Sequence, residues 1–157
     1  MTQTGRNFMK NKGIIACIAL GVSVLGVVPY TQNQSDIQIT DSTLRIPEIQ
    51  LTEQLIPANI HGKTFEVPDY RAAYYQPDSD TTFIYGHSST VFQRLKEIPH
   101  ALYLGDTEYT LSEQSEQLKE NINMNNILAR SGVTLMTCSG EDDKSRLILT
   151  YALNTSK

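Results

Sequence analysis

Val133-Thr134-Leu135-Met136-Thr137-Cys138 is followed, after Ser139-Gly140-Glu141-Asp142-Asp143-Lys144-Ser145, by Arg146-Leu147-Ile148-Leu149-Thr150-Tyr151-Ala152-Leu153. Both outer runs are short and rich in apolar and β-branched residues, the pattern of buried strands. The residues between them read as a hairpin-like loop or a slightly longer connection. If the two strands are neighbours, Cys138 ends one and Arg146 begins the next. The thiol and the guanidinium then share one end of a sheet. A single cysteine with a distant histidine is the sequence outline of a thiol nucleophile and its proton partner. Here the histidine is His87, in Ile84-Tyr85-Gly86-His87-Ser88. Arginine adds a permanent cation able to hold substrate or developing negative charge.

Working outward, Thr81–Tyr85 reads as a strand that ends at Gly86-His87, and Pro77–Asp80 as a turn. Leu44–Leu51 alternates apolar and polar residues as a strand interrupted at Pro47. Thr64–Val67 is a second short strand. Asp69 is placed to cap a helical turn over Tyr70–Tyr75. Val91, Phe92, Leu95 and Ile98 recur at helical spacing, which predicts a short amphipathic helix capped by Ser89 or Thr90 and ending before Pro99. Tyr103–Leu111 alternates again around Gly105-Asp106. Gln114–Arg130 is polar and Asn-rich and reads as a loop containing a helical turn. The whole is mainly β with two small helices, which favours a closed barrel over an open sheet.

The N-terminus has a different character. Gly13–Val28 is apolar or small throughout, preceded by Arg6, Lys10 and Lys12. Sixteen residues at a rise of about 1.5 Å cover about 24 Å, and Pro29 and Tyr30 extend the run at the interface. The flanking cations predict a cytoplasmic N-terminus with the remainder outside. No small-residue cleavage site closes the run, which favours an uncleaved anchor over a signal peptide. The expected organisation is a cytoplasmic tail over 1–12, a transmembrane anchor over 13–30, a polar linker over 31–43 and one domain over 44–157. Three of the 13 Lys and Arg precede the apolar run and all 17 Asp and Glu follow it. Ten cations against 17 anions leave the exported part at about −7. That acidity, without clustered basic residues, argues against nucleic acid as a partner. Cys17 lies in the apolar run, so Cys138 is the only thiol of the exported part and an internal disulfide is excluded. Three scattered histidines and one thiol do not make a zinc site, and Glu141-Asp142-Asp143 lacks the spaced ligands of an EF-hand. No metal and no cofactor is expected.

Thr134-Leu135-Met136-Thr137-Cys138 with Arg146-Leu147-Ile148-Leu149 resembles the Thr-Leu-x-Thr-Cys strand and the following Arg strand of sortases. Ile84-Tyr85-Gly86-His87-Ser88 resembles that family's histidine segment, and Leu44-Arg45-Ile46-Pro47-Glu48-Ile49 its first barrel strand. The likeness covers Leu44 to Leu153. It implies a barrel of about eight strands carrying a cysteine transpeptidase site, with Cys138 as nucleophile, His87 as general acid and then base, and Arg146 holding the oxyanion or the substrate backbone. The implied partners are a Leu-Pro-x-Thr-Gly-like sorting-signal peptide and an amine on a cell-wall precursor or a pilin. The region between His87 and Cys138 is abbreviated against the family's pattern. Two other classes fit parts of the sequence. An L,D-transpeptidase is suggested by His61-Gly62 and the Cys and Arg pair, although Met136-Thr137, rather than Ser-His-Gly, precede Cys138. The third class is a non-catalytic, membrane-tethered binding module on the same barrel.

Overall fold

The computed structural model describes residues 41–62, 64–140 and 142–155. The expected tail and anchor, and all but the last residues of the expected linker, lie outside them. Among the described residues no helix is long and apolar enough to cross a membrane.

The described residues form eleven strands: β1 Thr43–Ile46, β2 Leu51–Gln54, β3 Ile56–Pro57, β4 Asn59–His61, β5 Thr64–Glu66, β6 Ala73–Asp78, β7 Thr81–Tyr85, β8 Ala101–Leu104, β9 Thr107–Leu118, β10 Gly132–Ser139 and β11 Ser145–Leu153. Nine of them make one sheet in the order β2-β1-β8-β9-β11-β10-β7-β6-β3, and β4-β5 form a separate hairpin. The pairings β7–β10 and β3–β6 are parallel. The sheet curls into a nearly closed barrel because its two edges are almost the same piece of chain. Only Leu55, which is buried, separates β2 from β3. Arg71 ties the margins laterally: its Nε donates to Glu53 at 2.9 Å and its Nη2 to the Gln54 carbonyl.

The barrel interior follows from alternation. Leu44 and Ile46 of β1, Leu102 and Leu104 of β8, Val133 and Leu135 of β10, and Leu149 and Tyr151 of β11 all enter one core. Tyr151, fully buried there, donates its hydroxyl to the Pro99 carbonyl at 2.9 Å, so its polar end costs little when buried. The opposite face of β6, β7, β10 and β11 carries a second cluster. Ala73, Phe83, Tyr85 and Ile148 pack there with Ile127 and Leu128 of α1, Met124–Leu128. Phe65 of β5 meets Tyr75, Phe83 and Tyr85 edge-on at centroid distances of 5.4–5.5 Å.

Four local expectations are corrected. Leu44–Leu51 is not one interrupted strand: Pro47–Ile49 form a 3-10 turn, Gln50 takes a left-handed φ of 56°, and β2 folds back on β1. Tyr70–Tyr75 is not a helical turn. Residues 73–75 pair with Tyr85, Ile84 and Phe83, so aromatic packing on β7 overrides the capping signal at Asp69. The helix expected over 91–98 is a run of turns ending in a 3-10 helix, Leu95–Glu97, stopped by Ile98 at φ 55°. Phe92 and Leu95 still reach the core, so the spacing identified the buried residues correctly. Gln114–Leu118 is strand, the second half of β9, held by backbone pairing with β11 from Leu149 to Ser145.

Candidate active site

β7 is buried along its whole length and fixes the frame. It runs parallel to β10 in a register from Thr81↔Gly132 to Tyr85↔Met136. The match continues past the end of β7. Gly86 N–H donates to the Met136 carbonyl at 3.4 Å, and the Thr137 hydroxyl donates to the Gly86 carbonyl at 2.8 Å. His87 therefore stands level with Cys138. Its carbonyl accepts from the N–H groups of Phe92 at 3.0 Å and Thr90 at 3.4 Å, which clamps the main chain just beyond the imidazole. Gly86 packs closely: a Cβ there would sit 3.1 Å from the Phe92 ring.

On the other side, β10 and β11 are antiparallel, and Cys138 is directly opposite Arg146. Cross-strand partners project to the same face. The next strand adds Gln117, paired with Arg146. Cys138, Arg146 and Gln117 thus form a row across three strands, with His87 two residues past the end of the fourth, β7. All three residues singled out from the sequence lie at one end of the sheet. Among the described residues no hydrogen bond joins the imidazole, thiol and guanidinium to one another.

Cys138 is a free, half-buried thiol. Arg146 Nη1 donates to the carbonyls of Asp143, at 2.7 Å, and Ser145, at 2.8 Å, bracing the loop between the strands. In that loop Asp142 is paired with Lys144 at 2.6 Å on the exposed surface. His61 is at the tip of the β4–β5 hairpin, exposed and 3.4 Å from Glu66. His100 faces Glu48, which accepts from its backbone N–H at 2.9 Å and lies 3.3 Å from its ring. Burial opposes ionisation of Glu48, but the bonds from His100 and Ala101 outweigh it and hold the carboxyl below its ordinary value. Among the described residues no group of three or more His, Cys, Asp and Glu side chains is placed to hold a metal ion.

Two faces meet at Cys138. Met136 and Ile148 lie on the thiol's face, against α1. Thr137, Ser139 and Leu147 alternate to the other face, and together with Cys138 they border a cleft of about 340 Å³. Its lining includes Ser88, Phe92, Gln93 and Lys96 from the turns after His87 on one side, and Thr137–Gly140 and Leu147 on the other. The sequence reading missed Gln117 and this cleft. Gln117 lay in a stretch read as loop, and the cleft depends on how the 88–97 turns seat on the barrel end.

The Thr137–Gly86 bond gives a direct test of how His87 is held. Thr137→Val keeps the shape but leaves a buried carbonyl without its donor. It is expected to cost about 1–3 kcal/mol in urea unfolding. A smaller loss would show that the bond does not hold this end of β7 to β10.

The fold is the sortase fold. Listeria monocytogenes sortase A superposes with a TM-score of 0.58 at 15% identity, covering 75% of this chain and 89% of that one. Sortase C-1 from Actinomyces oris gives 0.56 at 16% identity and 77% of both chains. Sortase C from Clostridium perfringens, solved with the C-terminal cell wall sorting motif, gives 0.54 at 11% identity, 75% of this chain and 74% of that chain. No protein-family model and no curated protein sequence matches the chain.

Proposed function

We propose that this chain is a sortase-type cysteine transpeptidase, anchored by residues 13–30 with its barrel on the outer side of the membrane. The observation that supports this reading is the pairing of Cys138 with Arg146 at the end of a sortase-like sheet where β7, parallel to β10, leads into His87. The donor is a sorting-signal peptide of the Leu-Pro-x-Thr-Gly class, and the acceptor is an amine of the cell wall or of a pilin. The Clostridium relative solved with its sorting motif supports the donor class.

The chemistry divides one difficult amide exchange into two acyl transfers. Cys138 attacks as thiolate, since the thiolate is the nucleophile. A C–S bond forms, the peptide C–N bond breaks, and the leaving amine takes the proton of the His87 imidazolium. An incoming neutral amine then attacks the thioester and gives its proton to the imidazole. A C–N bond forms and the thiolate is released, with the imidazolium restored. Arg146 offers its remaining N–H groups to the oxyanion of each tetrahedral intermediate once the loop carbonyls yield.

Mass spectrometry of the exported part, incubated with a mixture of sorting-signal peptides, tests the proposal. An adduct one acyl fragment heavier, mapped to Cys138, is expected. An unmodified protein with every peptide, and no cleavage, would leave only a tethered β domain.

A further inference from the structure

Arg146 stands between two neighbours. On one side its Nη1 donates to the Asp143 and Ser145 carbonyls, which draws the guanidinium toward the loop before β11 and leaves its other N–H groups unused. Among the described residues no carboxylate pairs with it. On the facing stretch of β9, Glu113 is taken by Arg130 at 3.2 Å, and Glu116 accepts from Ser139. On the other side stands Gln117. Lys119 N–H donates to the Lys144 carbonyl at 2.7 Å, and closely bonded pairs alternate along an antiparallel ladder. Gln117 and Arg146, two residues along each strand, are therefore a closely bonded pair with Cα atoms about 5.5 Å apart. Both side chains project to the face that carries Cys138. The Gln117 amide is held loosely. Its Nε2 reaches the Ser115 hydroxyl at 3.4 Å, long for such a bond, and among the described residues nothing donates to its Oε1. A free acceptor thus adjoins a cation that is held only by loop carbonyls.

Resting on the transpeptidase reading, we propose that Gln117 is a positioning residue for Arg146. As the guanidinium leaves the loop, Gln117 Oε1 accepts from one of its N–H groups and fixes it in the row with Cys138. The remaining N–H groups then turn to the oxyanion. The planar guanidinium has donors on several edges, so one can be anchored while others act. A neutral amide suits the task. It orients the cation and leaves its charge for the oxyanion, whereas a carboxylate at the same position would cancel that charge.

The test is a double-mutant cycle on the full-length chain in detergent. It reads the single-turnover rate of acyl-enzyme formation with a sorting-signal peptide by quenched-flow mass spectrometry. Gln117→Met keeps the length of the side chain and removes the acceptor. It is expected to slow acylation about tenfold at saturating peptide, the scale of one bond to a charged group, and to leave the half-saturating peptide concentration unchanged. With Arg146→Ala already in place, the same change is expected to slow acylation by less than about twofold. Equal losses in both backgrounds, or none in either, overturn the assignment of Gln117 and leave the transpeptidase standing. Should Arg146→Ala acylate too slowly to rate, a crystal structure with a peptide aldehyde on Cys138 decides, since its hemithioacetal oxygen stands where the oxyanion forms. Arg146 bonded to Gln117 Oε1 is expected there. Arg146 anywhere else, the Asp143 and Ser145 carbonyls included, overturns the assignment. Failure of the wild type to form any acyl-enzyme overturns both readings.

Discussion

Replacing Cys138 with alanine is expected to abolish acyl-enzyme formation with a sorting-signal peptide, lowering turnover by about 10⁴-fold or more, the scale set by removing a catalytic nucleophile. The fold should survive, because the thiol is only half-buried and its loss removes one atom at the end of a strand. Circular dichroism and the urea midpoint should stay near wild type. The sequence holds one other thiol, Cys17, and it lies in the apolar N-terminal run. His87→Ala is expected to cost about 10²–10⁴-fold, the usual weight of a positioned acid–base group. His61→Ala should change turnover little, because that ring belongs to the β4–β5 hairpin and its neighbour is Glu66. The reverse pattern, with loss at His61 and activity kept at His87, would favour an L,D-transpeptidase. Unchanged turnover in Cys138→Ala would end the enzyme assignment.

Gly132→Ala carries the largest expected effect on stability. Gly132 opens β10 at a φ of +97°, which L residues rarely adopt. An added Cβ would sit 2.2 Å from the Tyr151 carbonyl oxygen, and that oxygen belongs to the backbone of β11. Relief requires separating the strands where Val133 pairs with Tyr151, both of them core residues. Strain and lost pairing together are expected to cost about 3 kcal/mol or more. That is a large share of the ~5–15 kcal/mol that holds an ordinary domain folded. Thermal unfolding measures it, and a shift of less than about 2 °C would mean that β10 starts elsewhere in solution. Because β10 carries Cys138 at its far end, a protein that survives the change should also lose turnover.

The parts of the fold that were legible in the sequence are those where one local pattern sufficed. β10 and β11 are runs rich in apolar and β-branched residues, and a short loop between two such runs left Cys138 and Arg146 few places to go except opposite each other. The position of His87 beyond a strand was legible too, although its level with Cys138 depends on a parallel register that no local signal encodes. Gln114–Leu118 was illegible because its residues are polar and mostly exposed, and its strand character comes from backbone pairing with β11. Ala73–Tyr75 was misread for a related reason. Tyr74 and Tyr75 gain more from packing on β7 than a capped helical turn offers. The turns over 91–98 kept their apolar contacts and lost their helix, because Ile98 adopts a left-handed conformation ahead of Pro99. The cleft beside Cys138 was beyond reach, since residues from three distant segments form its lining.

The short strands at the two margins of the sheet have a consequence for crowding. β2 offers four residues and β3 two, so a neighbouring chain finds little backbone on which to template. Copies packed densely on a surface would stay separate molecules rather than stitching into fibrils.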